Sequence, residues 1–175
     1  MLRFLSLAVI FLSLLVCNAN ATQVLQGLVV GVSDGDSITV LDADQRQHKI
    51  RLQGIDAPEK AQAYGQKSKE SLSNLVYNKT VKVHGSKKDR YGRTLGQVML
   101  GDLDVCLEQV KRGMAWHYKD YQGQQSMKDR YLYDRAERQA REQRLGLWQD
   151  ATPIEPSAFR RQKKQSFVME RFQYS

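Results

Sequence analysis

The chain is short of cysteine: among its 175 residues only Cys17 and Cys106 carry thiols. A disulfide framework is thereby excluded as the source of stability, because removal of the leader described below would leave Cys106 without an intramolecular partner. Cys106 is read as a small buried hydrophobe with no catalytic role. Histidine is sparse too, and His48, His84 and His117 are too scattered to form a ligand motif, which disfavours zinc. No internal repeat is visible. The longest apolar run, Phe4 to Val16, covers about 13 residues, short of the roughly 20 that a membrane-spanning helix needs.

That run, preceded by Arg3 and followed by Asn18-Ala19-Asn20-Ala21, has the form of a secretory signal peptide over residues 1–21, with cleavage after Ala21. The expected destination is secreted or periplasmic, with no stable membrane span after cleavage. Anchoring through a lipidated Cys17 is the lesser alternative, since Val16 is larger than the small residue such sites usually carry. Acids are outnumbered by 27 Lys and Arg to 19 Asp and Glu, giving a formal net charge of +8 and a sequence pI of about 9.5. Loss of the leader removes Arg3 and no acid, so +8 becomes +7. Such a balance favours a polyanionic partner, with nucleic acid the first candidate, although high pI by itself is also a solubility device.

With 41% hydrophobic and 26% charged residues, the chain has the composition of one globular domain, expected over 22–150, plus a small segment at each end. Strands are expected at Val24–Ser33, Asp36–Leu41, His48–Ile55, Val81–Gly85 and Thr94–Leu100, each bounded by Gly, Asp or Asn. Five short strands suggest a small barrel. Ala61, Tyr64, Ser68, Leu72, Leu75 and Val76 recur at helical spacing and predict an amphipathic helix ending near Asn78. A second helix is expected from about Val105 to Arg112, stopped by Gly113, and a third from Ser126 to Arg144 with Gly146 as its stop. Leu147 and Trp148 would anchor its end in the core. From Ala151 apolar periodicity fades, so 151–175 is expected to be a mostly disordered basic tail. It has five basic residues against Glu155 and Glu170, a net +3, and could add sequence-independent contact to phosphate backbones.

Chemistry concentrates between Ser33 and Glu59. Asp34-Gly35, flanked by valines before and Ile38 to Val40 after, reads as a tight turn between strands. In the next strand Arg51 alternates with Ile50 and Leu52 and so points away from the side that buries them. Pro58 ends the run, leaving Asp56 and Glu59 at a strand end or on the following loop. Asp36 and Asp56 offer oxygen ligands suited to calcium or magnesium. Asp-Gly-Asp alone is weak, since Asp and Gly also populate ordinary turns. A second piece, Asp89-Arg90-Tyr91-Gly92-Arg93, adds a guanidinium to that of Arg51, and two such forks match phosphate oxygens. Acids for a cation, two arginines for a phosphoryl group and Glu59 as a possible base together carry more weight than any one of them.

These segments, from Val32 to Ser37, Ile50 to Glu59 and Asp89 to Leu95, together with Val110 to Trp116 and Leu145 to Trp148, resemble the thermonuclease family, the staphylococcal-nuclease-like secreted nucleases. They cover roughly 24–148 in the family's order. The resemblance implies an α+β, mainly β fold: an OB-fold five-stranded Greek-key barrel with three α-helices. It further implies that Asp36, Asp56 and the carbonyl of Ala57 bind calcium, that Glu59 is the general base, and that Arg51 and Arg93 hold the scissile phosphate. Tyr91 and Tyr121 would contact the terminal phosphate and the base. Ser37 and Ala57 stand where the family more often has threonine; the first keeps the hydroxyl and the second contributes only backbone.

The implied activity is calcium-dependent hydrolysis of DNA and RNA with low sequence specificity, leaving 3′-phosphates, by a monomer with no protein partner implied. No segment supplies a recognition helix for base edges. Two other classes remain open at this level: a non-catalytic OB-fold that binds single-stranded nucleic acid, and an extracellular scaffold with a basic tail. The first could keep the barrel without the acids, and the second leaves the acids and arginines unexplained.

Overall fold

Alternation of apolar and polar residues builds the sheet. In β1 (Val24–Val32), β2 (Ser37–Leu41) and β3 (Gln47–Leu52), Val29, Ile38, Val40, Ile50 and Leu52 face inward and are almost wholly buried. Each such side chain contributes about 1.5–3 kcal/mol on leaving water. The structure is a computed structural model and describes residues 24–173; the expected leader, its Ala21 cleavage point and Cys17 lie outside the described residues.

β1, β2 and β3 form an antiparallel meander. A two-residue β4 (Ile55–Asp56) and helix α1 (Gly65–Val76) follow, and then β5 (Thr80–His84) pairs antiparallel with the other edge of β1. β6 (Thr94–Leu100) pairs antiparallel with β5 and parallel with β3, and this second pairing closes a five-stranded barrel. β7 (Leu103–Asp104) leads into α2 (Val105–Lys111), and β8 (Trp116–His117) into α3 (Met127–Glu142). Short 3₁₀ turns occupy Lys119–Gln124 and Gly146–Gln149. The expected OB-fold barrel and its three helices are present, and Leu147 and Trp148 are buried as anchors beyond α3.

Three boundaries differ from expectation. The third strand breaks at Gly54, whose φ of 77° is left-handed, so Ile55 and Asp56 turn away and pair with Trp116 and His117 instead. Helix α1 starts at Gly65 rather than near Ala61, because Tyr64 also takes a left-handed φ of 64° and Gln62 N–H and Gly65 N–H close turns onto Glu59 O and Gln62 O. The segment expected to be a disordered tail carries α4 (Pro156–Gln173). Pro156 suits a first helical position, and the residues after it are mostly good helix formers. Apolar periodicity was the wrong test for this helix, since apart from Pro156 no side chain from 157 to 166 is buried.

Cys106 is fully buried, and burial pushes its thiol far above the usual range, in keeping with an inert packing role. His117 is buried as well, between two polar neighbours. Lys119 Nζ lies 3.0 Å from its Nδ1, which must therefore accept, so Nε2 carries the hydrogen donated to Gln125 Oε1 at 2.9 Å. Desolvation lowers its pKa below 6.5, Gln125 partly opposing this. The unfolded chain thus takes up this proton first as pH falls, and stability present above about 6.5 is lost on acidification. We expect the unfolding midpoint of the parent to lose more than that of His117→Gln as pH falls below about 6.5; equal slopes for the two proteins would contradict a buried neutral imidazole.

Candidate active site

The Asp34–Gly35 turn is fixed from behind by helices α1 and α2. Gln109 of α2 is fully buried and donates through Nε2 to Gly35 O at 3.0 Å and to Ser68 O at 3.2 Å. Its Oε1 accepts from Ser71 Oγ at 2.7 Å, and Ser68 Oγ donates to Met114 O at 2.6 Å. A side chain at position 35 would run into Ser68 Oγ and the Cβ of Ala57, so glycine is required by close approach. This polar seam sets the turn, and the turn aims Asp36 at Asp56.

Asp36 and Asp56 are 6% and 2% exposed, and both meet the guanidinium of Arg51. Arg51 Nη1 lies 3.0 Å from Asp36 Oδ2 and Nη2 lies 2.9 Å from Asp56 Oδ1. The same Nη1 donates to the carbonyls of Leu52 and Ile55 at 3.1 and 2.9 Å, which locks the fork in place. Arg51 stands opposite Ser37 in β2 and Leu95 in β6, so the closure of the barrel carries it to the rim. Ala57 N–H donates to Asp36 Oδ2 at 2.7 Å; it is thus the amide of Ala57 that makes a contact here.

Arg93 joins from β6's approach. Asp89, four residues earlier, accepts from the backbone of Tyr91 and Arg93 and holds the Arg93 guanidinium at 2.7–2.8 Å. Arg93 Nη1 reaches Ser37 Oγ at 3.2 Å, and Ser37 Oγ donates onward to Asp36 Oδ1 at 3.1 Å. The hydroxyl at position 37 therefore links the second arginine to the acid pair. Glu59, 40% exposed, sits on the loop after β4.

All five side chains, Asp36, Arg51, Asp56, Glu59 and Arg93, line one open hollow of about 750 Å³. Tyr91 and Tyr121 line it too, on its exposed wall: Arg90 and Arg93 lie 4.9 and 5.5 Å from the Tyr91 ring, and Tyr121 packs 4.8 Å from Tyr118. Lys87, Lys88 and Arg90 on the same rim leave it basic, as a polyanion requires.

Residues 49–150 match the family described as staphylococcal nuclease homologue. Similar proteins include an "Uncharacterized endonuclease" of Haemophilus influenzae, 45% identical over 91% of this chain and 84% of its own length. Another is a "Micrococcal nuclease" of Shigella flexneri, 37% identical over 86% of this chain and 88% of its own. The chain belongs to the staphylococcal nuclease family. As a nuclease of this family it is a hydrolase, and the OB-fold barrel is the scaffold on which its acids and arginines meet.

Four residues of this nuclease have roles at the site that the sequence does not announce outright. Gln109 positions the Asp34–Gly35 turn, and Asp89 holds Arg93; the second had a signal in its spacing of four before Arg93. Tyr118 packs against Tyr121 at the hollow with the rings tilted, and burial raises its pKa. The fourth is Arg160 of α4, which lines the same hollow and donates to Asp56 Oδ1 and Oδ2 at 3.2 and 2.9 Å and to Glu59 Oε1 at 2.7 Å. No local pattern marks it out from its neighbour Arg161.

Proposed function

We propose that this nuclease is exported and hydrolyses phosphodiester bonds of DNA and RNA in a calcium-dependent reaction of low sequence specificity, leaving 3′-phosphates. The observation that carries the reading is the convergence of a buried carboxylate pair, an accessible glutamate and two arginines on one hollow. Among the described residues no group of three or more His, Cys, Asp or Glu side chains comes together as a metal site; a donor set built on Asp36 and Asp56 would need backbone oxygen and water to complete it. That set suits a hard cation. Burial, with Asp34 adding to it, pushes the Asp36 carboxyl up to about 7 against the pull of Arg51, and a divalent charge beside it would reverse that cost.

In this reading Asp36, Asp56 and the Ala57 carbonyl would hold calcium, which would supply charge neutralisation at the anionic phosphodiester. Arg51 and Arg93 bind its equatorial oxygens and stabilise charge as it builds there. Glu59 takes the proton from water as the water oxygen attacks phosphorus. The bond from phosphorus to the 5′ oxygen breaks, Arg93 stabilises that oxygen as it departs, and protonation completes the 5′-hydroxyl. Tyr91 and Tyr121 steady the terminal phosphate and the base. Among the described residues no helix is long and apolar enough to cross a membrane.

Incubating the purified protein with single-stranded DNA tests this. Calcium chelation is expected to slow degradation by about 100-fold or more, with recovery when calcium is restored. Products should resist polymerase extension until a phosphatase removes the 3′-phosphate. Equal degradation in chelator overturns the calcium dependence, and a mobility shift without products would make the protein a binder.

A further inference from the structure

Arg160 has no task in the proposed reaction, yet it makes three hydrogen bonds at its centre. One guanidinium spans both oxygens of Asp56 and reaches Glu59, with Nη2 2.9 Å from Asp56 Oδ2 and Nη1 2.7 Å from Glu59 Oε1. Those are the lone pairs that a cation on Asp56 and a proton-accepting Glu59 would need. Arg51 already takes Asp56 Oδ1 at 2.9 Å, and Arg160 shares that oxygen and covers Oδ2, so with Arg160 in place neither oxygen of this carboxylate is open to a divalent cation, whose charge a second guanidinium would also repel.

The route by which α4 reaches the site is also specific. Phe159 and Ile154 line a small crevice of about 120 Å³ with Pro58, Ala61, Trp116 and Leu147. Gln62 ties the two segments together, because its Oε1 accepts from Glu59 N–H at 3.1 Å while its Nε2 donates to Ile154 O at 2.6 Å. Beyond this foothold α4 is exposed from Arg160 through Ser166. Between residues 156 and 166 the contact is thus limited to the first turn and Arg160, the kind of small foothold that can open locally.

We infer that α4 is an autoinhibitory latch, in which Arg160 occupies the place of the cation on Asp56 and ties up Glu59 until a divalent cation displaces it. This rests on the assignment of Asp56 as a calcium ligand made above. Closed and open latch are two states of one chain, and calcium binds only the open one. Apparent calcium affinity is therefore reduced by the fraction of molecules that are open.

Calorimetric titration of full-length protein with calcium, without substrate, tests the latch independently of activity. Arg160→Ala is expected to bind calcium about ten-fold more tightly than the parent, a gain equal to a closed latch populated about nine times in ten. Phe159→Ala, which loosens the foothold without touching Asp56, should shift affinity in the same direction; Arg161→Ala should leave it at the parent value. In the parent, calcium should also speed tryptic cleavage after Arg161, Lys163 and Lys164. An Arg160→Ala affinity equal to or weaker than the parent's overturns the latch, as does a tail whose cleavage rate ignores calcium. If neither parent nor variants bind calcium, the calcium assignment itself fails and the latch with it, a result distinct from equal binding by all.

Discussion

Glu59→Gln is expected to cut phosphodiester hydrolysis by about 10²- to 10⁴-fold, the usual worth of a positioned general base, while binding of an oligonucleotide changes little. The substitution keeps the shape of the side chain and removes its ability to take a proton. Glu59 is 40% exposed on a loop, and its ion pair with Arg160 is open to solvent, so the fold should lose little stability. Weakening of that pair also favours the open form of α4, so the comparison belongs at saturating calcium, where the latch no longer affects the rate. Single-turnover cleavage of a labelled single strand, alongside its affinity measured under chelation, separates the chemical step from binding. Cleavage at the parent rate would remove Glu59 from the reaction.

Arg51 should show the largest effect on stability, with a loss of rate beside it. Its guanidinium, with a side chain 12% exposed, lies between Asp36 and Asp56 and donates to two main-chain carbonyls. Arg51→Ala leaves two buried carboxylates facing each other without their shared cation, and breaking a buried pair in this way costs about 3–5 kcal/mol. Asp36 is already displaced upward by burial and would be driven further toward its neutral form. Denaturant unfolding should therefore show the loss at neutral pH, with part of it restored by calcium, which replaces the missing charge. Arg51→Lys keeps a charge but cannot form the same planar fork, so it should recover stability better than activity. Its rate should remain about 10²- to 10³-fold below the parent, the cost typical of one lost transition-state donor. A stability loss under about 1 kcal/mol in Arg51→Ala would mean that the acid pair does not depend on this arginine.

The local features that could be read from the chain are those governed by short-range rules. Val29, Ile38, Val40, Ile50 and Leu52 alternate because a half-buried strand must, and Asp34-Gly35 turns because little else fits there. The strand-like composition of the run from His48 to Ile55 hides the break at Gly54, whose local sign is that Ile55 falls on the face of Arg51 and Gln53; the left-handed φ at residue 54 ends the strand. The difference is small in sequence and large in consequence, for it takes Ile55 off β3 and gives Asp56, expected at a strand end or on the loop, a partner in Trp116. The tail was read as disordered for lack of an apolar stripe, yet α4 docks through Phe159 and the preceding Ile154 on a crevice formed by residues from distant parts of the chain.

Sequence by itself determined the barrel's strands, the three helices of the domain and the motif residues on which the family and the candidate site rest. Tertiary structure decided which charges touch: Arg51 between two buried aspartates, Ser37 between Arg93 and Asp36, and Arg160 on Asp56 across more than a hundred residues of chain. The physical reason is one of range. Backbone propensity and side-chain periodicity act over a few residues and leave their mark in the local pattern. Pairing between charges depends on barrel closure and helix docking, which bring together residues whose neighbours in sequence carry no sign of the encounter.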